Sequence, residues 1–182
     1  MNSNTHINKI LPTFIYGLII FTVLSRLFPH PFNFTSVGGL ALFVGAFMPL
    51  RIAWIAPIFT LLITDSISGF YEPLVMLFVY LGFACCTLVG HYILYVRRNI
   101  LRITSSSFVS ALVFFIISNF GFWLSGNYYP LTLDGLVDCY IRAIPYFKYT
   151  LAGDVLYTFF LFGCYEFILI SLRLNQQKID KF

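Results

Sequence analysis

The chain has 182 residues, of which 59% are hydrophobic and only 10% charged, and its formal net charge is +4. A soluble domain of this size carries about a quarter charged residues, so a water-facing globule is excluded and an integral membrane protein is indicated. The basic residues fall between hydrophobic segments, which makes them topology signals. No nucleic-acid partner, metal or cofactor is expected, and the lipid bilayer is the expected surrounding.

The length suits one all-α bundle of six transmembrane helices spanning residues 10–172. A disordered cytoplasmic stretch, 1–9, precedes it and a cytoplasmic tail, 173–182, follows. Ile10–Phe28 is the first predicted crossing, and the prolines at 29 and 31 end it, because proline lacks a donor and blocks helix continuation. Val37–Met48 is short for a span and rich in small residues, which lets it approach its neighbours closely. Leu50–Thr64 is the third crossing and Pro73–Val96 the fourth, with proline suitably placed in its first turn. A basic loop, Arg97–Arg102, leads to Thr104–Leu124, and Tyr149–Leu172 is the sixth crossing. Between the last two lies a long connection, Ser125–Lys148. In it Asp134, Asp138 and Arg142 recur every four residues opposite an apolar side, so Asp134–Ile144 reads as a short interfacial helix in the fifth loop.

Charge sets the expected orientation. One face holds Lys9, Arg51, Arg97, Arg98, Arg102, Arg173, Lys178 and Lys181, and the other holds Arg26, Arg142 and Lys148. Eight against three puts both termini in the cytoplasm, in a cytoplasmic (inner) membrane. The four cysteines include no Cys-x-x-Cys pair; Cys85, Cys86 and Cys164 read as small hydrophobes in apolar segments.

Ionisable and amide groups inside spanning helices are costly, so each is a candidate functional residue. Arg26, Asp65, Asn119 and Asp154 all lie near the predicted outer ends of four different helices. Trp123 shares a face with Asn119, and Tyr157 with Asp154. The outer loops add His30, Asn33, Tyr71, Tyr128 and Tyr129. Aromatics with a few convergent polar groups are typical of small-molecule pockets. Arg26 is expected to meet Asp65, Asp154 or both, and the Ser125–Lys148 connection to cover the pocket as a lid. Other readings stand beside these: an aromatic belt for Trp123, Tyr128 and Tyr129, a headgroup contact for Arg26, and a charge ladder for Asp134, Asp138 and Arg142. Glu166 is expected to pair with Arg173 or Arg51. Catalytic motifs are absent: there is no His-Glu-x-x-His, no Gly-x-Ser-x-Gly and no phosphate-binding glycine loop.

Three stretches carry a resemblance: Arg26 to Thr35 with its Phe-Pro-His-Pro-Phe-Asn core, Ser118-Asn-Phe-Gly-Phe-Trp123, and Leu151-Ala-Gly-Asp154. They make the chain resemble an uncharacterised group of small putative membrane transport proteins, while the run Asn33–Arg51 with the Thr64-Asp65 pair resembles the first-loop-to-third-helix pattern of the substrate-binding S components of energy-coupling-factor (ECF) vitamin transporters. The uncharacterised group is itself similar to those S components. The resemblance implies a six-helix fold with a ligand pocket under outward-facing loops 1, 3 and 5, and a vitamin-like small molecule as ligand. It also implies a transmembrane coupling subunit with ATPases as partners. The small-residue contact that S components make with that subunit has its nearest equivalents here in Thr13-x-x-x-Gly17 and Ala41-x-x-x-Gly45. Uptake of a small molecule by a non-enzymatic binding protein is therefore the leading expectation. The alternatives are an integral membrane enzyme acting on a lipid or envelope precursor, and a non-catalytic assembly factor.

Overall fold

The computed structural model describes residues 3–29, 31 and 33–179. Among them the regular structure is all helix: α1 (Ser3–Leu27), α2 (Val37–Phe47), α3 (Leu50–Ala53), α4 (Ile55–Ser68), α5 (Pro73–Leu94), α6 (Ile100–Leu124) and α7 (Leu133–Ile179). Five stretches are long and apolar enough to cross a membrane: Ile10–Leu27, Leu50–Ser68 (α3 and α4 together), Pro73–Leu94, Ile100–Leu124 and Leu133–Leu174. The chain is thus a helical protein of multi-pass membrane type. The sixth predicted crossing, α2, has only 11 residues. At 1.5 Å per residue it is about 16 Å long, roughly half a bilayer core.

That short helix is the centre of the molecule. Every residue of α2 except Phe47 is buried, as expected of a helix that is apolar on all sides. It contacts α1, α4, α5, α6 and α7, and those five contact one another in a closed ring, α1–α4–α5–α6–α7–α1. Close approach comes from glycine. A Cβ on Gly90 of α5 would lie 2.5 Å from Leu42 O, and one on Gly45 of α2 would overlap Thr87 O. One apolar cluster joins Leu40, Phe43 and Val44 of α2 to α1 and α7, and a second joins Val37 and Ala41 to Leu61, Phe83 and Phe114.

Opposite charges stand at the two ends of α2. At its C-terminus Arg98 donates to Ala46 O at 3.0 Å and lies over the Phe47 ring. Arg102 likewise donates to Ile93 O near the end of α5. The basic loop read as a topology signal therefore also caps helix C-termini, where a cation meets the exposed carbonyls and the negative end of the dipole.

Several expectations change. α1 begins at Ser3, inside the stretch expected to be disordered, and α7 continues to Ile179, into the expected tail. Asp134–Ile144 is not a separate interfacial helix: it is the first part of the 47-residue α7, which runs on through Pro145. A proline can stay inside a membrane helix when neighbouring groups satisfy the freed carbonyl. Ala41 and Gly45 do not form an outward contact surface, because both are buried inside the bundle. Thr13 and Gly17 lie on the exposed side of α1, and a Cβ at Gly17 would meet nothing within 4 Å.

Candidate functional site

Because α2 reaches only half the bundle's depth, the core beyond Val37 is closed by the connection that follows α1. Phe34 and Thr35 of that connection press on α7 at Gly153, where a Cβ would sit 3.1 Å from both Thr35 N and Thr35 O. The Ser25 and Ser36 hydroxyls are 2.6 Å apart, tying the end of α1 to the start of α2. Asn33 turns the chain with φ 63°, a left-handed conformation that asparagine tolerates better than most residues. Two polar clusters flank this plug.

The first cluster joins α1, α4 and α5. Arg26 donates to Asp65 Oδ1 at 2.8 Å, and the Tyr80 hydroxyl donates to Asp65 Oδ2 at 2.8 Å. Asp65 is 3% exposed, so its charge depends on these partners. The expected meeting of Arg26 with Asp65 is present. Tyr71, in the loop between α4 and α5, lies beside the pair. Its phenol is pushed up to about 12, first by burial and then by the Asp65 carboxylate, with Arg26 acting the other way.

A pH prediction follows from Tyr71. Between its ordinary value of 10.0 and about 12, the folded protein holds a proton that the unfolded chain has lost. The stability it contributes is intact below pH 10 and lost as pH rises through about 12. The ultraviolet difference titration between wild type and Tyr71→Phe should have its midpoint near 12; a midpoint near 10 would place Tyr71 outside the cluster.

The second cluster centres on Asp154, 3% exposed, and stands apart from the first. The Asp154 carboxyl touches the first turn of α2: a Cβ on Gly38 would overlap Oδ1. An anion there answers the positive end of the α2 dipole. On the other side stand Ser110 of α6 and Cys86 of α5, whose thiol lies 3.5 Å from Ser110 O. Ser110 is ten residues from the start of α6 and fourteen from its end, so Asp154 sits near mid-depth, about 15–20 Å from either end of that helix. Among the described residues, Asp154 Oδ2, Ser110 Oγ and Thr158 Oγ1 are buried with no hydrogen-bond partner.

The remaining predicted site residues divide. Tyr157 contacts the plug, its ring 5.6 Å from that of Phe34. Asn119 donates to Phe115 O of its own helix, and Asn119 O faces the Cys139 thiol at 3.6 Å. Trp123 Nε1 donates to Pro130 O, and Tyr128 stacks on Phe122 at 4.6 Å. Tyr129 meets the same Phe122 ring edge-on. Gly121 admits the Phe78 side chain of α5. The Ser118–Trp123 stretch thus joins α6 to α5, to α7 and to the connection before α7, and none of it reaches Asp65 or Asp154.

The expected lid is corrected in the same way. The first part of α7 lies along α6, with Tyr140 donating to Ile116 O at 2.6 Å and Phe147 against Phe115. His30 lies outside the described residues. Glu166 makes no ion pair among the described residues, whereas Arg142 does bond Asp138, with Nε 2.9 Å from both carboxylate oxygens. Two recesses occur elsewhere, an apolar one of about 740 Å³ between α1 and α4, and one of about 630 Å³ between the start of α6 and α7 that Arg98 and Glu166 help to line. Neither is lined by a predicted ligand-binding residue.

Sequence reasoning missed Tyr80, Ser110 and Gly38. Tyr80 lies fifteen residues beyond Asp65 on another helix, and only the register of α5 against α4 brings its hydroxyl to the carboxylate. Gly38 belongs to the small-residue run of α2, but which side chain fills the space it leaves is a tertiary fact.

No curated protein and no solved structure matches the chain. A family model matches residues 7–177, nearly the whole length, and the chain accordingly belongs to DUF6580, a family of unknown function.

Proposed function

We propose that this chain is a membrane substrate-binding protein for uptake of a vitamin-like small molecule, related in its working to the S components of ECF transporters. The observation that supports this reading is the half-length central helix, whose buried N-terminus is preceded by a plug of irregular backbone, with Arg26, Asp65, Tyr71 and Tyr80 in one polar cluster and Asp154 and Tyr157 on α7. Irregular backbone at membrane depth is tolerated only where it is buried in protein or lines a cavity. Interrupted helices with dipole ends turned inward are also how transporters build solute sites. Movement of residues 33–36 opens the space above Val37. The arginine, carboxylate and phenol groups then supply donors and acceptors to a polar solute, and the Phe21, Phe34 and Tyr157 rings supply its apolar wall.

The sequence has no nucleotide-binding motif, so uptake draws on a coupling subunit with ATPases or on a gradient. The exposed Thr13–Gly17 side of α1 is the surface on which a coupling subunit would dock. The orientation in this reading has both termini in the cytoplasm. A cysteine introduced at Asn127 should label from outside intact cells and one at Asn99 should not; labelling at Asn99 overturns the orientation.

Native mass spectrometry of the purified protein tests the function. The expected result is a retained small molecule that is lost in Asp65→Asn and Asp154→Ala protein that still elutes as a folded species. A chain that carries no small molecule and shows no saturable binding sinks the proposal. A released product in place of a bound ligand points to an enzyme, and a fixed protein partner without ligand points to an assembly factor.

A further inference from the structure

The Asp154 cluster poses a problem that solute binding does not answer. A carboxylate at mid-depth of a membrane bundle is expensive unless its charge is met. Oδ1 lies against the start of α2, Oδ2 and Thr158 Oγ1 have no hydrogen-bond partner, and Ser110 Oγ, which bonds no carbonyl, has the Asp154 carboxyl before it. All three residues are at least nine-tenths buried: Asp154 is 3% exposed, and Ser110 and Thr158 are 0% exposed. Thr158 lies one turn from Asp154 on the same face of α7, and Ser110 faces Asp154 from α6.

Thr22 Oγ1 of α1 shares this lack of a partner, but five other buried hydroxyls do not. Thr60, Thr64, Thr87, Ser106 and Ser107 are also buried, and each returns its hydroxyl to a carbonyl of its own helix. Ser110 and Thr158 do not, so their oxygens remain available to a ligand held beside Asp154.

We propose that Asp154 Oδ2, Ser110 Oγ and Thr158 Oγ1 form a buried site for a small exchangeable monovalent cation, H⁺ or Na⁺. The chemistry common to both ions is a hard cation on oxygen donors with one formal negative charge, which neutralises the carboxylate where it stands. Among the described residues no ion pair brings a cation to Asp154. α2 carries no ionisable residue, and Arg26 is engaged with Asp65. Cys86 of α5 is the titratable side chain turned toward Asp154, and its thiol brings no positive charge. On α7 itself Tyr157 is turned to Phe21 and Phe34. An ion held there couples cation occupancy to the packing of α2 against α7, the two elements that the solute plug rests on.

The test uses the full-length protein in detergent and needs no solute, so its failure and the failure of the solute-binding reading are distinguishable. Unfolding temperature is measured in NaCl against choline chloride at constant ionic strength, and across pH in choline alone. A Na⁺ site gives a saturable rise in wild type, about 5 °C or more at high occupancy. A proton site gives no Na⁺ effect and a rise of similar size on acidification. In either arm Asp154→Asn abolishes the dependence, and Ser110→Ala or Thr158→Val weakens it. Should Asp154→Asn fail to fold, the two hydroxyl deletions decide the matter. Wild type and variants with the same response to both ions, or with none, overturn the proposal and leave Asp154 as a structural counterpart of the α2 dipole.

Discussion

Gly90→Ala is expected to destabilise the bundle by about 3 kcal/mol, the upper part of the range for overpacking. A Cβ there would lie 2.5 Å from Leu42 O and 2.8 Å from Leu42 Cα. Both atoms are backbone of the central helix, so no rotamer change relieves the overlap and α2 and α5 must move apart. Gly45→Ala meets α5 in the same way, at Thr87 O and His91 N, and should cost a similar amount. Controls of opposite sign are available in Gly17 and Gly163, where a Cβ meets nothing within 4 Å. Alanine at those positions should be neutral or stabilising by up to about 1 kcal/mol, through helix propensity alone. Thermal or denaturant unfolding in detergent separates the two classes. If Gly90→Ala is as stable as Gly17→Ala, the close contact of α2 with α5 is wrong.

The second large effect concerns the pair at the Arg26 end. Arg26→Met leaves Asp65, 3% exposed, with only the Tyr80 hydroxyl, and should cost about 3–5 kcal/mol, the usual result of breaking a buried ion pair from one side. Asp65→Asn keeps the shape and a hydrogen-bond acceptor and should cost less. The double variant Arg26→Met/Asp65→Leu should recover much of the loss, because no uncompensated charge remains. A double-mutant cycle on unfolding free energy reads the coupling directly. Additive costs would mean that the 2.8 Å contact contributes nothing to stability. Because Tyr80 belongs to the same network, Tyr80→Phe in the Arg26→Met background should cost more than it does in wild type.

The resemblance motifs acquire physical content from the fold. In Leu151-Ala-Gly-Asp154, Gly153 admits the backbone of Phe34 and Thr35, and Asp154 reaches the start of α2. In the Val37-Gly-Gly run, Gly38 leaves room for that carboxyl and Gly39 for the α7 backbone at Tyr157 and Thr158. These two stretches are complementary halves of one contact. The Ser118–Trp123 motif does a different job, fastening α6 to its neighbours.

What the sequence determined on its own is what depends on local chemistry. Hydropathy placed the long apolar helices, though not the short α2 as a half-length one, since bilayer thickness sets the length of an apolar run irrespective of its neighbours. Proline and glycine placed most of the breaks, because their backbone limits act within a few residues. Arg26 and Asp65, expected at one end of the bundle, do meet. The tertiary structure decided everything that depends on which side of a helix turns inward. In lipid both faces of a helix can be apolar, so periodicity does not separate core from surface as it does in water. That is why the sequence does not show that Asn119 bonds its own helix, that Trp123 bonds the connection before α7, that Gly45 is buried, or that Asp134–Ile144 continues into the rest of α7. The same ambiguity hid the depth of Asp154, near the outer end of its helix by sequence but level with the middle of α6 once the 47 residues of α7 run unbroken through Pro145.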